Sequence, residues 1–464
     1  MAGLHEAGLV EAGRMVAARK VSASELVEAA LARIAALEPR LHAFSHVDAE
    51  GARQRAVALD GEVRDGRLRG PLHGVPVAVK DLCDTATMPT AAGMPMRRGH
   101  RPARDATVVR RLHEAGAVLI GKTELSEGAL ALHHPDVTKP VNPWRADLWT
   151  GSSSSGSGVA VAAGFCAGAL GSDTGGSIRF PALCTRTVGL KPTWGRVSRH
   201  GVFPLSWTLD HVGPLTRHVA DAAAMLGAIA GRDPADPTSL AAPVPDYLGG
   251  LGGSLSGVRI GFDERYATTD VGTETVAALR QALQVLTERG GALQAITMPP
   301  VQEANAAWTP ICLAEAAVVH AGTYPARAQD YSASFREFLE AGLAVPGTAY
   351  AKANLARREF TGNIDALFED VDLMLVPVTG NAVPTVDGFA RLCPDPEGLE
   401  KLIYFTCLYD VSGHPTLTLP AGALSTGEPI GFQIVGGRLS EALLCRAGQA
   451  WEDAFGVPGV AEPT

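Results

Sequence analysis

The sequence predicts a single α/β domain in which one sheet is interrupted by a helix-rich insertion, and three observations carry that prediction. β-patterned runs lie toward both ends of the chain, at 74–81 and 116–123 and again at 371–377, 416–420 and 430–436. Helical patterning dominates between them, from about 216 to 368. The 464 residues, 46% hydrophobic and 19% charged, describe a globular protein with a large core. Strands at both ends with helices between fit one interrupted sheet rather than separate domains. The expected division is a core of about 60–215 and 370–464, N-terminal helices over about 1–40, and an insertion over about 216–370.

Two helices are expected at the N-terminus. In the second, Ser22 and Glu25 have capping-box spacing, and Leu26, Ala30, Ile34 and Leu37 recur at helical intervals until Pro39 stops the pattern. The run Gly74-Val75-Pro76-Val77-Ala78-Val79-Lys80-Asp81 reads as a strand with a lysine and an aspartate at its tip. A helix follows at 107–115. Gly116 to Thr123 then matches the spacing of a phosphate-binding loop, but its variable positions are Ala-Val-Leu-Ile. Those residues make a buried strand rather than an open loop, so nucleotide binding is not expected there. Short strands and turns are expected at 188–193 and 210–215. The insertion should hold a Gly/Ser-rich turn at 249–256, a strand at 258–262, and helices at 273–289 and 303–319. A last amphipathic helix is expected at 441–455, and no internal repeat is present.

Charge and cysteine usage narrow the function classes. The net charge of −9 has no basic block to offset it, since the arginines at 97–98, 110–111 and 357–358 are isolated pairs, so direct nucleic-acid binding is not expected. Seven scattered cysteines without a CxxC pair, and no apolar leader after Met1, point to a cytoplasmic location. Between Asp147 and Asp173 no residue carries a formal charge, yet Ser and Gly are too frequent there for a membrane span.

That uncharged stretch concentrates the chemistry. Two Ser/Gly clusters, Gly151 to Gly158 and Gly171 to Ser177, bracket a buried-looking segment. A serine hydroxyl needs a base to take its proton and donors to hold the oxyanion it creates. Thr174-Gly175-Gly176-Ser177 suits the second task, because glycines let successive N–H groups turn into one concavity. No histidine carries a local signature of a triad partner, and neither HExxH nor Cys/His metal spacing occurs. A Ser-Lys pair is the remaining option. An unperturbed lysine is neutral in roughly one molecule in 2,500 at pH 7, so it must be desolvated to act as a base.

In order along the chain stand Gly-Val-Pro-Val-Ala-Val-Lys80-Asp, Gly151-Ser-Ser153-Ser-Ser-Gly156-Ser, Gly-Ser-Asp173-Thr-Gly-Gly-Ser177-Ile-Arg-Phe-Pro, and Gly-Leu-Lys-Pro-Thr. Through these motifs the chain resembles the amidase signature family, from about Ser22 to the C-terminal helix. The resemblance implies a single domain with a central twisted mixed β-sheet flanked by helices. It also implies a Ser–cis-Ser–Lys triad: Ser177 as nucleophile, Lys80 as base, and Ser153 as the bridging serine after a cis peptide bond. Ser154 is the alternative if the alignment slips by one residue. The N–H groups of Thr174, Gly175, Gly176 and Ser177 would form the oxyanion hole, with Asp173 and Arg179 structural. No metal or organic cofactor is implied.

The expected partner is a small-molecule amide or carbamate, with no direct nucleic acid and no membrane; a homodimer is allowed for. In the glutaminase branch of the family, which serves a tRNA-dependent amidotransferase, an acidic residue upstream of the late Gly-x-Pro motif helps bind glutamine. An ungapped count back from Gly413-His414-Pro415 places Ile403 there, which disfavours glutamine. Small or aliphatic residues at Ala129 and Leu130 leave room for an apolar acyl or aryl group, and Trp308 and Ile311 are candidates for an opposite wall. The expected reaction is C–N cleavage of a small amide. Aryl amides, ureas and carbamates are close relatives, and membership of an amidotransferase complex is the less favoured reading.

Overall fold

The structure, a computed structural model, describes residues 3–463. Its centre is one mixed sheet. The first six strands are β1 (Phe44–Val47), β2 (Pro76–Lys80), β3 (Val118–Thr123), β4 (Gly168–Asp173), β5 (Val188–Lys191) and β6 (His211–Thr216). The remaining five are β7 (Arg259–Phe262), β8 (Ala292–Ala295), β9 (Leu373–Pro377), β10 (Thr416–Ala423) and β11 (Pro429–Gly436). Their spatial order is β1-β3-β2-β4-β6-β5-β10-β11-β9-β7-β8.

β2 pairs in parallel with both β3 and β4, and every residue of these three strands is buried. Burial on both faces explains their nearly uncharged sequences. Side chains alternate between two cores: Val77, Val79, Leu119 and Leu170 enter the larger one, whereas Ala78, Val118, Ile120 and Ala169 enter the other. Residues of helices Ala23–Leu41, Ala49–Arg64 and Ser155–Ala162 complete that second core. Because β2 and β4 run the same way, Lys80 and Ser172 arrive together at the C-terminal edge of the sheet, where open α/β sheets bind ligands.

Some elements differ from expectation. The Ser22–Glu25 capping box is formed, but the helix continues through Pro39 to Leu41. The proline lies in the final turn, and the end is secured by His42 N–H donating to Glu38 O (3.0 Å) and by the Glu38 carboxylate accepting from Ala43 and Phe44 N–H. The 216–370 segment also contributes to the sheet, since β7 and β8 extend its far edge beside β9. Gly116 to Thr123 forms a turn and the buried strand β3, as its composition predicts. Among the described residues no helix is long and apolar enough to cross a membrane.

Candidate active site

Lys80, the last residue of β2, is wholly buried. Its Nζ donates to Ser153 Oγ (2.7 Å) and Ser172 Oγ (2.8 Å). Burial pulls its pKa down from the ordinary lysine value to about 7, against the opposing influence of Cys83, Asp173 and Asp210. Two other lysines are equally buried, but their partners differ. Lys122 pairs with the Asp81 carboxylate (3.0 Å), and Lys191 donates to the carbonyl of His414 (2.6 Å). Lys122 also donates to Thr90 Oγ1 (2.7 Å), but its carboxylate partner favours the charged amine, and the carbonyl on Lys191 has no proton to give. Lys80 meets two serine hydroxyls and no carboxylate.

The serine cluster divides its work. The Ser152–Ser153 peptide is cis. Ser154 Oγ accepts from Ser172 N–H and donates to Ser172 O (both 3.2 Å), and Ser157 Oγ donates to Leu170 O (2.8 Å). These two serines fasten helix Ser155–Ala162 to β4, which leaves Ser153 as the serine whose hydroxyl meets Lys80. The four-serine run therefore begins a buried helix and is not a flexible linker. Ser154 N–H also donates to the Ser177 carbonyl (3.3 Å), lashing the two clusters together. The hydroxyls of Ser153 and Ser177 are not directly hydrogen-bonded to each other, a looseness common before substrate arrives.

The loop from Asp173 to Arg179 is held from several sides. Asp173 accepts from Gly176 N–H (2.6 Å) and Ile178 N–H (2.9 Å) and pairs with the Arg179 guanidinium (2.8 Å). Burial would raise the Asp173 pKa, but Arg179 holds it well below the usual carboxylate range. Arg179 also pairs with Asp410 (2.5 Å) and donates to Thr406 O (2.8 Å). Gly176 has φ +133°, and a Cβ there would lie 2.3 Å from the Phe180 ring, so only glycine fits.

The carbonyls of this loop face outward: Trp308 Nε1 donates to Thr174 O, and Thr406 Oγ1 to Gly175 O, each at 2.6 Å. In a trans peptide the N–H points opposite to the carbonyl, so the Trp308 bond turns Gly175 N–H away from the tryptophan. Gly176 N–H corrects the expected oxyanion hole, because it is already committed to Asp173 Oδ1. The N–H groups of Thr174, Gly175 and Ser177 find no acceptor among the described residues.

Ser177 lines a cavity of about 430 Å³. Ala129, Leu130 and Trp308 line it too, facing an aromatic wall in which Trp149 stacks on Phe389 at 4.0 Å and contacts Phe180. Ile403 lies in the same lining. Ile311 does not; it is fully buried in the main core, one turn of helix Gln302–Val319 beyond Trp308. The sequence reading missed Phe335, Phe338 and Thr406. The two phenylalanines come from helix Ala333–Leu343 and Thr406 from a turn, all distant in sequence from Ser177, and no local motif marks them. A second cavity of about 440 Å³ has Ser172 in its lining and shares Ala129 and Leu205 with the first.

A desolvated lysine on two serine hydroxyls, with a glycine-turned serine loop at the end of β4, is consistent with the class of serine hydrolases that pair serine with lysine. The Amidase family model matches residues 25–445. The chain is 44% identical over 434 residues to the Mycobacterium tuberculosis (strain ATCC 25618 / H37Rv) protein named "Putative amidase AmiD", covering 93% of this chain and 91% of that one. It is 38% identical over 468 residues to a glutamyl-tRNA(Gln) amidotransferase subunit of Anaeromyxobacter sp. (strain K), covering 95% and 94%. The native peptide amidase of Stenotrophomonas maltophilia superposes with a TM-score of 0.84 at 32% identity, over 99% of both chains. The chain belongs to the amidase signature family and is an amidase-family hydrolase.

Proposed function

We propose that the protein is a stand-alone amidase that cleaves the C–N bond of a small amide bearing an apolar acyl group, through an acyl-enzyme on Ser177. The observation that carries this reading is Lys80: fully buried, with a pKa near 7, and hydrogen-bonded to Ser153. Neutral Lys80 takes a proton relayed through Ser153 from Ser177, and Ser177 Oγ attacks the amide carbonyl. The N–H groups of Thr174, Gly175 and Ser177 hold the oxyanion. Ser153 then returns the proton to the leaving amine, and water attacks the acyl-enzyme by the reverse route. The relay requires Ser177 Oγ and Ser153 Oγ to close on each other when substrate binds.

The apolar acyl pocket rests on the aromatic wall and on Leu130, Leu402 and Ile403 in the cavity lining. Aryl amides, ureas and carbamates present the same carbonyl to the same groups and are the second reading. A glutaminase role is disfavoured by Ile403, an aliphatic side chain in the cavity lining at the position where the glutaminase branch carries an acidic residue. The test is turnover by the purified chain of a panel of apolar amides, aryl amides, carbamates and glutamine, with sulfonyl fluoride labelling and peptide mapping. Label on Ser177 and turnover of apolar amides are expected. Label elsewhere, or glutamine turnover that depends on added partner proteins, overturns the proposal.

A further inference from the structure

The cavity at Ser177 is lopsided in charge. Among the described residues lining it there is no lysine, arginine or histidine, and two carboxylates are present, Glu127 and Glu337. Both belong to one wall. Ser334, Glu337, Phe338 and Ala341 line the cavity from a single face of helix Ala333–Leu343. Glu127 meets the start of the same helix, its Oε1 accepting from Ser332 N–H (3.1 Å). Glu127 is 1% exposed, and its Oε2 is buried without a hydrogen-bond partner. Burial pushes the Glu127 carboxyl above its ordinary pKa, and Arg336, whose charge opposes that shift, is not part of the lining. Glu337 is exposed.

We propose that Glu337, backed by Glu127, makes this cavity a charge filter: it favours amides whose non-reacting end carries an ammonium group and rejects those ending in a carboxylate. The inference rests on the proposed amide hydrolysis at Ser177 and adds a substrate class to it. An acyl chain entering between Trp149, Phe335 and Leu402 loses water, so a charge at its far end must find its partner on the wall. An ammonium finds carboxylate oxygens that accept charge-assisted hydrogen bonds, and aromatic faces that attract a cation. A carboxylate finds the charge of Glu337 and no cation among the described lining residues. The discrimination is electrostatic and partly exposed to solvent, so it weakens with salt.

The test uses three 4-nitroanilides with acyl chains of equal length, ending in a methyl, an amine or a carboxylate. The readout is the ratio of kcat/KM for the amine-ended to the carboxylate-ended substrate. The wild-type ratio is expected to be about 10 or more and to fall with added salt. Glu337→Lys should lower it by about 100-fold and Glu337→Gln by about 10-fold, with the methyl-ended substrate within about threefold of wild type. Glu337 is an exposed helical residue, so both variants retain the fold. A ratio unchanged in Glu337→Lys, while the methyl-ended anilide is still hydrolysed, overturns the charge filter alone. Wild-type enzyme inert toward all three anilides overturns the amide-hydrolase reading and the filter with it.

Discussion

Lys80 Nζ lies 2.7 Å from Ser153 Oγ, with neither residue exposed to solvent. The amine therefore has no bulk water to stabilise a positive charge, and its pKa falls to about 7. If Lys80 is the base, this contact governs how the enzyme responds to pH.

Activity should follow the neutral fraction of Lys80. Below pH 7 the lysine is protonated and cannot take the proton, so kcat/KM should rise with pH, reach half its maximum near 7, and level off above it. A flat profile from pH 5.5 to 9 with a neutral anilide would exclude Lys80 as base. Lys80→Ala should lose about a thousandfold or more in kcat.

The same residue should shape stability. The folded state holds Lys80 neutral above about pH 7, whereas the unfolded chain keeps it protonated up to about pH 10.4. Between those values the unfolded state binds more protons, so the Lys80 contribution to stability rises with pH. Thermal melts of wild type and Lys80→Met should show the variant's relative advantage shrinking from pH 6.5 to 9.5. A gap that widens would contradict the sign.

Ser177→Ala and Ser153→Ala should both lose about a thousandfold or more in kcat, but they should differ in chemistry. Ser177→Ala leaves nothing for a sulfonyl fluoride to label. Ser153→Ala retains Ser177 and should still label, more slowly. Equal labelling of wild type and Ser177→Ala would move the nucleophile elsewhere.

Arg179 lies between Asp173 and Asp410, and all three are fully buried. Arg179→Ala would strand two carboxylates in the core at a cost of about 3–5 kcal/mol. A large drop in melting temperature is expected, together with loss of activity because Asp173 no longer shapes the Gly176 turn. A melting temperature close to wild type would show that the triad does not hold the loop.

Trp308 and Ile311 should separate by assay although they are three residues apart on one helix. Trp308→Phe removes the hydrogen bond to Thr174 O and should lower kcat by about 10-fold. Ile311→Val should cost about 1 kcal/mol of stability and leave KM unchanged, because the side chain lies in the core. A KM change in Ile311→Val would place it at the cavity after all.

Much of this protein was legible in its sequence because the relevant forces are local. The capping box at Ser22, the run that ends in Lys80, and the glycines that permit the Gly176 turn each act within a few residues. Charge depletion from 148 to 172 marks a segment that must be buried, since an unpaired charge there would be costly. The order of the motifs was enough to name the family.

Tertiary structure decided what depends on distance in space. Only the parallel register of β2 and β4 brings Lys80 to Ser172, and only the packing of helix Ser155–Ala162 on β4 singles out Ser153 from its neighbours. The commitment of Gly176 N–H to Asp173, the core position of Ile311 and the two carboxylates on the cavity wall likewise arise from contacts the chain makes after folding. Helical or strand periodicity says that a residue is buried. What it is buried against is set by which elements meet, and that determines whether a lysine finds a carboxylate, a carbonyl or a hydroxyl.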